Sequence, residues 1–138
     1  LCVRAIERRR NYPYHWNFVR NLKSRMRRKA QAWPTAFDLS ALDRIRSIRR
    51  FDGFFTAPDA GLSSAEAYYA WGSAGGHLSG VRVPGLLLST TNDPFVPPGV
   101  FAPHRAAASS SLRWLHPARG GHLGDRPGMT PALMEWLE

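Results

Sequence analysis

The hydrophobic positions of this chain change their period near its middle. Between His15 and Ala32, Trp16, Val19, Leu22, Met26 and Ala30 recur at spacings of three or four, which predicts one face of an amphipathic helix ended by Pro34. The polar positions between them include Arg20, Lys23, Arg25, Arg27, Arg28 and Lys29. Leu39, Leu42, Ile45 and Ile48 then fall three apart and predict a second helix, with Asp38 or Ser40 as its cap. Before both, Val3 and Ile6 among arginines predict one or two helical turns, broken at Asn11-Tyr12-Pro13. Residues 51–74 are rich in aromatics without a long strand pattern, and Ser63 or Ser64 is placed to cap a short helix through Trp71.

Beyond a Gly-rich connection at 72–80 the pattern becomes that of strands. Val81 to Thr91 holds the continuous apolar run Leu86 to Leu88, behind Pro84 and ahead of Pro94, Pro97 and Pro98. Such a run predicts a strand buried on both faces, as in a parallel α/β sheet. Pro97 to Ala108 reads as a loop with at most a short helix, and Ser111 to Leu115 as a second strand ending before His116-Pro117. Pro131 then opens a final helical pattern through Leu133, Met134, Trp136 and Leu137. A helical first half is thus followed by strand, connector, strand and helix, the order of the closing units of an α/β sheet.

Composition changes this picture little, and charge somewhat more. The chain has 138 residues, 43% hydrophobic and 21% charged, enough for one domain with a core. No apolar run approaches the roughly 18 residues of a membrane span. The single cysteine, Cys2, excludes an internal disulfide and points to a reducing, cytoplasmic setting. The chain begins at Leu1 and ends within an apolar-periodic stretch, so we expect it to be a piece of a longer protein. Residues 1–50 hold 14 Lys and Arg against 3 acids, and residues 51–138 hold 5 against 7. That asymmetry raises nucleic acid and anionic membrane as partners. The basic residues lie on the solvated faces of amphipathic helices and no RNA-binding signature accompanies them, so no nucleic acid is expected. Weak attraction to an anionic membrane or lipid remains as an expectation.

The candidate chemistry lies where the two strands end. In open α/β sheets, functional groups sit on loops past the carboxyl ends of strands. Asp93 occupies that place after the first strand, in Asp-x-x-x-Pro up to Pro97, and His122 follows the second behind Gly120-Gly121. An imidazole held by a carboxylate acts as a general base, and the glycines leave room beside it. Acid before histidine, each after a strand, matches the tail of the Ser…Asp…His order of α/β-hydrolases. The bland alternative makes Asp93 a turn cap before Pro94. Gly75-Gly76-His77-Leu78 nearly copies Gly120-Gly121-His122-Leu123 but precedes the Asp93 strand, out of order for a triad. His15, His104 and His116 lack metal-ligand spacing and are expected to meet solvent or local hydrogen bonds. Ser73 follows no strand and is rejected as a nucleophile, and Tyr68, Tyr69 and Trp71 are expected in the core or a pocket wall.

Four stretches carry a more particular resemblance: NYPYHWNFVRNLK (11–23), FDGFFTAPDAGLSSAEAYY (51–69), VPGLLLSTTNDPFVP (83–97) and GGHLG (120–124). In this order they resemble the C-terminal half of the YheT-like, ABHD-type α/β-hydrolases. The resemblance implies an α/β fold made of a helical cap segment, residues 1–80, followed by the last strand-loop-strand-helix units of the core, residues 81–138. It further implies hydrolysis of small-molecule or lipid esters by a serine enzyme, with Asp93 the triad acid and His122 the base, and no metal or organic cofactor. Three departures accompany it. Asn92 stands where the family has the first of two aspartates, Asp125 stands where it often has an aromatic, and neither G-x-S-x-G nor an HGG-type oxyanion segment occurs in the chain. Serine and oxyanion hole are therefore expected upstream of Leu1, and the chain alone is expected to be inactive. A rival reading is a non-catalytic α/β-hydrolase-like binding protein.

Overall fold

A computed structural model describes residues 2–122, and the final helix expected after Pro131 lies outside the described residues. The elements are helices α1 (Cys2–Ile6), α2 (Tyr12–Ala32), α3 (Ile48–Phe51), α4 (Ala57–Asp59) and α5 (Ala65–Trp71), strand β1 (Gly85–Leu88), helix α6 (Ala102–Arg105) and strand β2 (Leu112–Leu115). They divide into two compact units, one of Ile6–Ser73 and one of Leu1–Ala5 with Ala74–Glu138.

In the first unit α2 begins at Tyr12, so the expected break at Asn11-Tyr12-Pro13 is a helix start. Pro13 lies in the first turn, where its missing N–H has no intrahelical acceptor to lose. The buried residues of α2 are His15, Val19 and Met26, while Trp16 is 55% exposed. The inward stripe therefore starts one residue earlier than expected, and His15, expected to meet solvent or local hydrogen bonds, is buried without a hydrogen-bond partner for Nε2 among the described residues. Met26 packs with Leu42, Ile45 and Phe51, and Leu22, Phe37, Leu39 and Phe55 close around them. Leu42 and Ile45 are almost wholly buried, each contributing about 2 kcal/mol through removal of its side chain from water.

The α-helix expected through Leu39–Ile48 does not form. Asp38 accepts the Ser40 amide at 2.8 Å and the Ser40 hydroxyl at 2.9 Å, which makes a turn. Leu42–Arg44 is a single 3-10 turn, Ile45 is extended, and Ser47 caps the short α3 by accepting the Arg50 amide. A strict spacing of three drifts around an α-helix of 3.6 residues per turn. Here it is met by a 3-10 turn and an extended residue instead.

Asp52–Thr56 winds as a π-helical turn between α3 and α4. Its buried Asp52 accepts the Thr56 hydroxyl at 2.8 Å and the Tyr69 hydroxyl at 2.5 Å. Burial first, and then the hydrogen bond and charge of Asp52, push the Tyr69 phenol well above its ordinary pKa. The Phe-Asp and Tyr-Tyr pairs of residues 51–69 thus have a structural reason: Phe51 enters the core, and Asp52 ties the π turn to α5. Ser64 caps α5 through the Ala67 amide, as expected. Trp71 is 69% exposed, contrary to its expected place in core or pocket wall.

In the second unit β1 and β2 pair in parallel, with Gly85 opposite Leu112 and Leu88 opposite Leu115. Parallel strands need a crossover, and residues 89–111 supply one that includes a 3-10 turn at Pro98–Val100 and α6. Residues of β1 are half-buried rather than fully buried, because β2 is its one partner among the described residues. Phe101 meets Trp114 edge-on at 5.8 Å, and Trp114 stacks on His116, packing the crossover against β2.

Candidate active site

Both expected site residues lie on the loops that leave the two strands. Beyond β1 the ladder continues, with the Ser89 amide bonded to the Leu115 carbonyl at 3.0 Å and the Thr91 amide to that of Pro117 at 2.9 Å. Three side chains then sew the loops together. Thr91 donates its hydroxyl to the Ala118 carbonyl at 3.1 Å, Thr90 donates to the Gly121 carbonyl at 2.7 Å, and the Gly121 amide donates to Asn92 Oδ1 at 3.0 Å. Gly121 is thereby held at both its amide and its carbonyl, directly before His122. Asn92 keeps an acceptor oxygen at the position where the family resemblance led one to expect an aspartate.

Gly120 and Gly121 have φ of 149° and 63°, in the range that favours glycine. Among the described residues a Cβ at Gly121 would meet nothing within 4 Å, so its backbone conformation calls for glycine.

Asp93 is 7% exposed and fully partnered. Its Oδ1 accepts the amides of Phe95 at 2.7 Å and Val96 at 2.9 Å, so it does cap the turn before the prolines. It also meets the ring of His122: Nδ1 lies 3.0 Å from Oδ2 and 3.2 Å from Oδ1. Burial is the largest single influence on Asp93 and pushes its pKa up. The Val96 amide, His122 and the Phe95 amide together outweigh it and hold the carboxyl below its usual range. An ionised carboxylate only accepts, so the proton of a neutral His122 ring resides on Nδ1 and the lone pair on Nε2. The His122 side chain is 48% exposed, and Phe95 packs edge-on against it at 5.1 Å.

A cavity of about 210 Å³ opens beside the pair, lined by Leu88, Ser89, Thr90, Asp93, Val96, Phe101, Gly121 and His122. Thr90 was not singled out from the sequence, and Asn92 only as a departure from the family's pattern; the signal for both was their place in the polar run between strand end and acid. Buried within the same lining, Ser89 Oγ has no hydrogen-bond partner among the described residues.

His77, His104 and His116 do not line this cavity. His77 is exposed, on a 3-10 stretch, and Gly75 is needed because the His104 ring lies 2.5 Å from where its Cβ would stand. His116 Nδ1 meets the Ser89 carbonyl at 3.1 Å. No group of three or more metal-ligating side chains occurs among the described residues. No helix among them is long and apolar enough to cross a membrane.

Comparison with known proteins extends over nearly the whole chain. Mouse phospholipase ABHD3 is 26% identical over 138 residues, covering 99% of this chain and 34% of the relative. The provisionally named esterase YheT of Escherichia coli is 29% identical over 139 residues, covering 99% and 41%. The monoacylglycerol lipase of Saccharomyces cerevisiae is 33% identical over 90 residues, covering 63% and 20%. The chain thus spans between a third and two fifths of the length of the relatives it matches throughout. No family model and no solved structure matches.

Proposed function

The chain is a relative of the YheT-like, ABHD-type α/β-hydrolases and matches the C-terminal half of them, and from that premise we propose that it supplies the acid and base of a serine ester hydrolase. Its relatives are named esterase, lipase and phospholipase, which supports ester hydrolysis at the level of the family. The observation that carries the finer reading is the 3.0 Å contact between His122 Nδ1 and Asp93 Oδ2, made on loops after two parallel strands. In the intact protein, His122 Nε2 takes the proton of a serine supplied from outside this chain as that oxygen attacks an ester carbonyl. It then returns the proton to the leaving alcohol. Asp93 fixes the Nδ1–H tautomer and offsets the charge of the imidazolium. The strand unit belongs, on this reading, to the last part of an α/β-hydrolase core, with the cap formed by the mainly helical segment of residues 1–80. Ester or lipid substrates are the proposed ligands, and the basic residues of the helical unit favour anionic lipid surfaces.

The test is labelling of the intact protein with a serine-reactive fluorophosphonate, with and without Asp93→Asn. We expect labelling of the unmodified protein and a loss of labelling rate on the order of 10³ or more in the variant, where the tautomer is no longer fixed. An equally fast reaction in the variant overturns the assignment of Asp93. No labelling of the unmodified protein overturns the serine mechanism and favours a non-catalytic relative.

A further inference from the structure

The helical unit holds an open cavity of about 270 Å³ lined by Tyr12, His15, Trp16, Val19, Arg20, Lys23, Arg27, Ile45 and Arg46. Four of these are cations and none is an acid, an imbalance that a solvated helix face does not require. Lys23 Nζ donates to the Asp43 carbonyl at 3.1 Å, Arg46 donates to the same carbonyl, and Arg27 meets the Asp43 carboxylate at 2.6 Å. One exposed acid therefore stands against three converging cations. The Arg20 guanidinium lies over the Trp16 ring, 5.4 Å from its centre, held by the π-face and facing no carboxylate in the lining. Burial, then the positive charge of Arg46, lower the Lys23 pKa against the pull of Asp43, with Arg27 adding to the fall. A second observation is independent of these charges. His15 is 7% exposed, and its Nε2 is buried without a hydrogen-bond partner among the described residues. Glu7 Oε1 lies 4.0 Å away, beyond hydrogen-bond distance, has no hydrogen-bond partner of its own among the described residues, and does not line the cavity.

We propose that this cavity is a binding site for a phosphate-type oxyanion, with Arg20 and Lys23 as its principal donors and Trp16 and Tyr12 flanking its mouth. Guanidinium and ammonium groups supply charge-assisted hydrogen bonds to phosphate oxygens. Tyr12 and Trp16, 63% and 55% exposed, offer apolar surface to whatever body carries the anion. The same chemistry serves a dissolved phosphate monoester and the headgroup of a lipid.

The experiment titrates the intact protein with inorganic phosphate and glycerol 3-phosphate by calorimetry. In parallel, phosphatidylcholine vesicles with and without phosphatidic acid are tested by co-sedimentation. The double variant Arg20→Gln/Lys23→Gln is compared with Arg25→Gln/Arg28→Gln, which removes the same charge from α2 outside the cavity. We expect saturable binding weakened about tenfold or more by the first pair and less than about twofold by the second. Binding of the dissolved phosphates identifies a soluble ligand. Vesicle binding that inorganic phosphate displaces, and that the first pair weakens, identifies a headgroup. In the unmodified protein, phosphate should also shift the NMR signals of the His15 ring and the Lys23 side chain, whatever the stability of the variants. Equal loss in both pairs, no saturable binding in either arm, or saturation with the His15 and Lys23 signals unmoved overturns the proposal.

Discussion

Among the described residues each unit buries one aspartate, and the two are buried to nearly the same degree: Asp52 is 8% exposed and Asp93 is 7%. Their partners differ in kind. Asp52 is met by the hydroxyls of Thr56 and Tyr69, neutral donors within its own helical unit, one of them four residues away. It closes a π turn and joins it to α5. Asp93 is met by two backbone amides and by a half-exposed imidazole. Two amides already satisfy one oxygen, so the contact to His122 is more than a turn cap needs. Burial alone therefore does not separate a structural carboxylate from a chemical one. What separates them is the partner, hydroxyls for Asp52 and a half-exposed imidazole for Asp93.

That contrast can be broken most sharply at His122. His122→Ala should reduce ester turnover by the intact protein by three orders of magnitude or more, because members of such a unit fail together. Its thermal midpoint should move little, since the side chain is half exposed. Near-normal turnover would place Asp93 with Asp52 as a structural acid. In the helical unit the opposite is expected of Asp52→Ala: loss of about 1–2 kcal/mol in chemical denaturation, from leaving the half-buried Tyr69 and Thr56 hydroxyls unmatched. Adding Tyr69→Phe should return part of that loss, and a strictly additive double-mutant cycle would show that the two residues do not interact.

Gly121→Ala should cost about 1 kcal/mol, because the added Cβ meets only the strain of a positive φ. A larger cost would mean a steric role in the loop before His122. The smallest effect is that of acid on Asp93. Its folded pKa lies below the unfolded value near 3.8, so its contribution to stability is complete above that value and falls away as pH drops through the folded pKa. Denaturation of the unmodified protein and of Asp93→Asn should converge as pH falls through that window. Parallel curves would show that Asp93 is not held ionised by its partners.

Much of the candidate site was legible as order along the chain. Acid and histidine each follow an apolar run, and parallel pairing of two strands brings both carboxyl ends to one edge, so sequence order alone places Asp93 and His122 on neighbouring loops. Ser64 was legible as a cap because capping is decided within four residues. The Leu39–Ile48 stretch was misread because its spacing is close to a helical one, and the choice between α and 3-10 turned on the Asp38–Ser40 turn and on where Met26 and Phe51 wait to be covered. The stripe of α2 was misplaced by one position at Trp16 and His15, since both sit near the edge of the buried arc and only the packed neighbours choose between them. The roles of Thr90 and Asn92 were not legible because their acceptor and donor lie some thirty residues on, at Gly121.

By itself, then, the sequence determined the change from helical to strand periodicity, the turn and cap residues, and the pairing of one acid with one histidine by order. These are local or ordinal properties, written in spacing and in the chemistry of single side chains. Tertiary structure decided which face of α2 turned inward, that residues 39–48 gave up a helix for turns, that Asp52 served packing while Asp93 met an imidazole, and that four cations came to line one cavity. Each of those depends on groups distant in the chain competing for the same burial and the same hydrogen bonds, and such a competition has no outcome until the chain is folded.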